Sequence, residues 1–234
     1  MTTARALASI DSLSGGRLVV GVGVGHEGTL EYVAMGVRKS DRGRRLNEAI
    51  RVMRMLWTQE KVTYDGEFLR ITGGALNPKP VQQPIPIWIG GRTEAALRRT
   101  GYLGDGWLPA QVTPEDAAEG IRRVQQYAAE AGRQVPADHF GVNLGCYMVE
   151  RGPVPMEKVS QYLLQRRHDV PLDQVHLIGT PDQVEARVRE YVDAGITKFV
   201  FGPACGPDEM LQQMQLQAET VVKTFHRRAV ETVS

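Results

Sequence analysis

Along this chain, short runs that are apolar at every position alternate with longer stretches in which apolar residues return every three or four positions. Leu18-Val19-Val20-Gly21-Val22 and Pro86-Ile87-Trp88-Ile89 are runs of the first kind. They are too short for helices and apolar on both faces, which predicts buried parallel strands. The same reasoning places five strands at about 17–22, 86–89, 106–109, 141–148 and 198–201. The helical period appears over 3–13, where Ser14-Gly15-Gly16 stops it, and over 42–58, with Leu46, Ala49, Ile50, Met53, Leu56 and Trp57 on one face. It returns over 93–103, from Thr113-Pro114 to about Gly132, over 156–168, from Thr180 to Gly195, and over 208–228. Thr180-Pro181-Asp182-Gln183 has the spacing of a capping box. Val62-Thr63-Tyr64-Asp65-Gly66-Glu67-Phe68-Leu69 predicts a hairpin turning on Asp-Gly.

Strand, helix, strand, helix means an α/β fold with a parallel sheet. A closed (β/α) barrel needs eight strands in roughly 250 residues, and a doubly wound nucleotide-binding sheet needs fewer. Gly23-Val24-Gly25-His26-Glu27-Gly28 spells a dinucleotide fingerprint after a strand. Its surroundings do not fit. The second apolar strand ending in an acid, which that fold requires, is replaced by Arg38-Lys39-Ser40-Asp41-Arg42-Gly43-Arg44-Arg45 and another helix.

Composition narrows the function classes. Twenty-eight Lys and Arg against 27 Asp and Glu give a net charge of +1, so nothing points to nucleic acid or an acidic membrane. No apolar run approaches a membrane span, and Met1–Leu7 lacks a signal-peptide core. Cys146 and Cys205 show no metal-like spacing. They read as reduced, buried thiols of a cytoplasmic protein, with no metal expected.

Candidate chemistry concentrates where Pro86–Ile89 stops at Gly90-Gly91-Arg92 and a helix starts. Two glycines between a strand end and a helix start let backbone N–H groups approach a ligand closely. The helix start adds unpaired donors and a positive dipole end. That arrangement suits a phosphate, with Arg92 as an added charge; the same residues also suit an ordinary tight turn.

Several motifs in order carry a resemblance. They are Leu7-Ala8-Ser9-Ile10-Asp11-Ser12-Leu13-Ser14-Gly15-Gly16-Arg17-Leu18 with the run Gly21–Gly25, then Arg42–Ala49 with Leu56-Trp57, then Tyr64–Phe68. Asn77–Gln82, Trp88-Ile89-Gly90-Gly91 and Gly104-Asp105-Gly106-Trp107 complete the set. Together they resemble the luciferase-like monooxygenase family; Gly179-Thr180-Pro181 and Ala194–Thr197 match more loosely. The resemblance implies a TIM (β/α)8-type barrel with a flavin at the C-terminal ends of its strands. Family members carry about three βα units ahead of the segment where this chain begins. The expectation is therefore one incomplete barrel domain over 1–234, with a hairpin insertion near 60–72 and open edges at Val19–Val22 and Phe199–Phe201.

The resemblance further implies that Gly90 and Gly91 hold the cofactor phosphate and that the strand end Gly21–Gly25, with Gly23 and Gly25, borders its ring system; Trp88, Ile89 and Arg92 complete the candidate cofactor-binding residues. His26 stands where some deazaflavin-dependent relatives carry a proton-transferring acid. The style is nearest the branch using the deazaflavin coenzyme F420, with FMN as the alternative. A flavin- or deazaflavin-dependent oxidoreductase acting on a small organic molecule is the expected function. The alternative is a non-catalytic or vestigial flavin-binding protein. The open edges predict homo-oligomers or self-association.

Overall fold

In the computed structural model, residues 1–25, 30–163 and 167–225 are described. They fall into two compact units. The first comprises Met1–Leu108 with Arg122–His139, the second Pro109–Ile121 with Phe140–Ser234.

The first unit opens with α1 (Thr2–Ser14), which ends as Gly15 takes a left-handed conformation, φ 66°, and returns its N–H to the carbonyls of Asp11 and Ser12. Then follow β1 (Val20–Val22), α2 (Leu30–Ala34), α3 (Arg42–Thr58), β2 (Val62–Asp65), β3 (Arg70–Gly74), β4 (Ile87–Ile89), α4 (Glu94–Leu103) and β5 (Gly106–Trp107). β1, β4 and β5 form a parallel sheet in that order, with Gly21 opposite Trp88 and Trp88 opposite Gly106. Because side chains alternate along a strand, Ile87 and Ile89 face one side of this sheet and Trp88 the other. The isoleucines join Val20, Ile50, Leu56, Trp57 and Ile85 in a core beneath α1 and α3. The indole N–H of Trp57, buried there, donates to the Ala4 carbonyl at 3.0 Å.

In the second unit, β6 (Gly141–Met148) is central, between β7 (Leu177–Gly179) and β8 (Lys198–Pro203), all parallel. The start of α5 (Pro114–Glu130), as far as Ile121, precedes them, α6 (Met156–Ser160) and α7 (Pro181–Asp193) lie between, and α8 (Pro207–Gln217) follows, continuing into a π-helical turn, Ala218–Val222. α7 starts with the capping box expected of Thr180 and Gln183.

All five expected strands are present and parallel, and β7 is an additional one. Two expectations need correction. The hairpin does not turn tightly on Asp65-Gly66; its second strand starts only at Arg70. The Glu48 carboxylate accepts the N–H groups of Glu67, Phe68 and Leu69 at 2.6, 3.0 and 3.0 Å, and so opens the turn into a loop wrapped on a buried acid. The helix expected over 156–168 ends at Ser160. Beyond it the bonds tighten to Tyr162 N–H on Val159 and Leu163 N–H on Ser160. This turns Leu163 into a cluster with Tyr147, Val159 and Cys205. The last helix, expected over 208–228, is helical as far as it is described, to residue 225, with a π-helical turn at Ala218–Val222 inside it; residues 226–228 lie outside the described residues.

β1 is an edge strand of the first sheet and β8 of the second, as expected. No helix among the described residues is long and apolar enough to cross a membrane.

Candidate functional site

The site is built where the parallel strands of the first unit end together. The Gly90 N–H donates to the Val22 carbonyl at 2.8 Å, and the Leu108 N–H to the Ile89 carbonyl at 3.0 Å. Both bonds extend the strand ladders by one residue. The Gly90 amide is thereby committed to the sheet, and any donors facing a ligand begin at Gly91.

Gly91 has φ 103°, a conformation that side chains rarely adopt. Its carbonyl accepts the indole N–H of Trp107 at 2.8 Å. Thr93, the extended residue before α4, makes no side-chain capping bond, and its carbonyl accepts the N–H groups of Ala96 and Leu97. Glu94 lies in the first turn, where a carboxylate would oppose an incoming anion. It is turned to other partners: Arg123 at 2.5 Å and the Tyr127 hydroxyl. Gly91 and Arg92 are exposed, Gly90 half-buried.

Of the other expected residues, Ile89 has its side chain fully buried in the core, so only its backbone can serve the site. Trp88 lies on the opposite face of the sheet, against Gly106. Gly23 and Gly25 follow the end of β1 and are exposed. Gly25 has φ 71°, and a Cβ there would stand 1.8 Å from the Tyr32 hydroxyl. His26 lies outside the described residues.

Two residues that the sequence does not single out for the site join this rim. The Tyr32 hydroxyl donates to the Val24 carbonyl at 2.5 Å, and Arg42 Nη1 reaches the same oxygen at 3.4 Å. The Arg42 guanidinium also stacks 4.7 Å above the Tyr32 ring. A cation therefore stands beside the glycine run, at the start of α3. No local signal announces it, because the partners are eight and 18 residues apart in sequence.

The Asp of the Gly104–Trp107 motif is structural. Its Oδ2 accepts Arg54 Nη2 at 2.5 Å and the Ile87 N–H at 2.9 Å, and its Oδ1 accepts Arg133 at 3.2 Å. It ties β5 to the first residue of β4, at the end away from Gly90.

In the second unit, His176 is buried. Its Nδ1 accepts the Gly145 N–H at 3.0 Å, and its Nε2 has no hydrogen-bond partner among the described residues. Burial holds its pKa down at about 4. Burial raises the Cys146 thiol to about 12, so it is an inert core group. No cluster able to hold a metal occurs among the described residues.

Comparison with known proteins gives this geometry a family. The luciferase-like monooxygenase family matches residues 1–169, and the chain belongs to that family. An uncharacterized protein of Mycobacterium tuberculosis is 40% identical over 136 residues, 57% of this chain and 47% of that protein. The 5,10-methylenetetrahydromethanopterin reductase of Archaeoglobus fulgidus is 27% identical over 263 residues, 94% of this chain and 77% of that protein. Among solved structures, a monooxygenase from Streptomyces bottropensis superposes with a TM-score of 0.78 at 23% identity, covering 96% of this chain and 74% of that one. An F420-dependent secondary alcohol dehydrogenase gives 0.77 at 20% identity, covering 94% and 73%. The fold is thus the luciferase-like TIM-barrel type. The chain spans about half the length of the mycobacterial relatives it matches.

Proposed function

We propose that this chain binds a flavin-type cofactor through its anionic group at Gly91–Thr93 and the start of α4, and serves an oxidoreductase reaction on a small organic substrate. The observation that carries the proposal is the exposed turn at Gly91, set immediately beyond a parallel strand and before a 10-residue helix. Backbone donors and the helix dipole there suit a phosphate group. Gly91 leaves room for close approach: a Cβ would already press on Ala96 at 3.1 Å. Arg92, and Arg42 at the neighbouring strand end, supply positive charge.

When bound, the cofactor supplies the redox chemistry, as hydride transfer for F420 or oxygen activation for reduced FMN. The chain binds and orients it, with Gly23 and Gly25 bordering the ring. His26, next in sequence, serves as the proton-transferring group, since a histidine exchanges protons near neutral pH. F420 is the favoured cofactor: an F420-dependent dehydrogenase is among the structural neighbours. FMN is the alternative.

Parallel assays test this. The chain is supplied with reduced F420 and small carbonyl compounds, with oxidised F420 and small alcohols, or with reduced FMN, oxygen and the same panel, and the change in the cofactor's oxidation state is followed. F420-linked turnover is expected. Turnover with neither cofactor, alongside tight binding of one, would favour a non-catalytic binder.

A further inference from the structure

We infer that Trp107 is the positioning residue of the anion cradle, holding the Gly91–Arg92 peptide so that its N–H faces the cofactor's anionic group. This inference rests on the cofactor reading above and assigns one residue its role within it.

The argument starts from one bond. The Trp107 indole N–H donates to the Gly91 carbonyl at 2.8 Å, and Trp107 is 1% exposed, so water does not compete for that donor. In a trans peptide the carbonyl and the following N–H point in opposite directions. Fixing the Gly91 oxygen towards Trp107 therefore fixes the Arg92 N–H away from it. Glycine gives this peptide an unusual choice of orientations. Nothing in the strand ladder selects among them, because the ladder ends at Gly90. The indole makes the selection.

Trp107 can do so because it is itself held. It sits opposite Ile89 in the parallel register, and its own N–H donates to the His139 carbonyl at 3.0 Å. The residue before it is locked as well: a Cβ on Gly106 would stand 2.4 Å from the Trp88 ring. The two sequence motifs thus interlock. Trp88 of the first lies over Gly106 of the second, and Trp107 of the second holds Gly91 of the first.

The test separates anion recognition from packing. Flavin fluorescence anisotropy gives affinities of the full chain for FMN and riboflavin, and in parallel for F420 and its phosphate-free chromophore. In the chain as it stands, the phosphorylated member of one pair binds more tightly. Trp107→Phe keeps an aromatic ring and removes the N–H. It is expected to weaken the phosphorylated ligand about tenfold, the worth of one well-placed hydrogen bond, and to leave the phosphate-free one unchanged. If Trp107→Phe fails to fold, replacing Trp107 with benzothienylalanine, which puts sulfur in place of the N–H at the same ring shape, gives the same readout. Equal weakening of both ligands, or of neither, overturns the positioning role. If the unaltered chain binds both members of each pair equally, or binds none, the cofactor-anion reading itself has failed.

Discussion

The indole of Trp88 occupies the space that a side chain at position 106 would need: a Cβ on Gly106 would lie 2.4 Å from its Cε2 and 2.6 Å from its Nε1. The ring is 6% exposed and tilts against the His139 ring 5.5 Å away, so it has little freedom to move aside. Gly106→Ala should therefore destabilise the protein by about 2 kcal/mol, within the usual range for overpacking. Urea unfolding measures this; a variant as stable as the parent would show that the ring yields.

Asp105 has no part in the chemistry on this account. Asp105→Asn removes the charge that Arg54 and Arg133 share and should cost about 1–3 kcal/mol. The ratio of FMN to riboflavin affinity should stay the same. A changed ratio at unchanged stability would place Asp105 in the site.

Glu48 shapes the hairpin loop. Glu48 is 8% exposed and its carboxylate accepts three backbone N–H groups, so Glu48→Ala should leave those donors unsatisfied and cost about 2 kcal/mol. Hydrogen exchange is the specific check. Amides 67–69 should exchange faster, while those of β4 change little.

Much of this architecture is legible in the sequence. The five strands are apolar on both faces, and no competing period obscures them. α3 carries its apolar face without interruption from Leu46 to Trp57 and is found over Arg42–Thr58, as read. β7 escapes because its three residues, Leu177–Gly179, follow a histidine and lead straight into a capped helix. The Asp65-Gly66 turn misleads for a different reason: the acid that opens it, Glu48, is about 20 positions away in sequence. The same holds at the site. Gly90 and Gly91 announce themselves locally, whereas the Trp107 bond to Gly91 and the Arg42 contact with Val24 exist only once the strands lie side by side.

His176 makes stability depend on pH. Burial holds its folded pKa at about 4, below the ordinary 6.5. A group depressed in this way favours folding above the unfolded pKa and loses that contribution as pH falls towards the folded value. Stability should therefore drop by about 3 kcal/mol between pH 7 and pH 4. His176→Asn, which keeps an acceptor for the Gly145 N–H, should flatten the profile between pH 6.5 and 4. An unchanged profile would assign the acid loss to other groups.

The edge of β1 is open. Val20 and Val22 direct backbone groups at the strand holding Pro86 and Gly90, so those of Gly21 point outward. Val19 is 51% exposed beside it, and the run carries no charge or proline to deter pairing. Light scattering should show association that rises with concentration, and Val19→Lys should reduce it. A monomer at every concentration would mean that the edge is protected.

The central claim is that the turn at Gly91 receives the anionic group of a flavin-type cofactor. Equilibrium titration of the chain and its Gly91→Val variant with F420 and FMN tests it most directly. The account predicts saturable binding of one cofactor, and a loss of at least about tenfold in the variant, as the branched side chain closes the approach at a backbone angle it tolerates poorly. Equal affinity in the two proteins, with both giving cooperative melts, would contradict it.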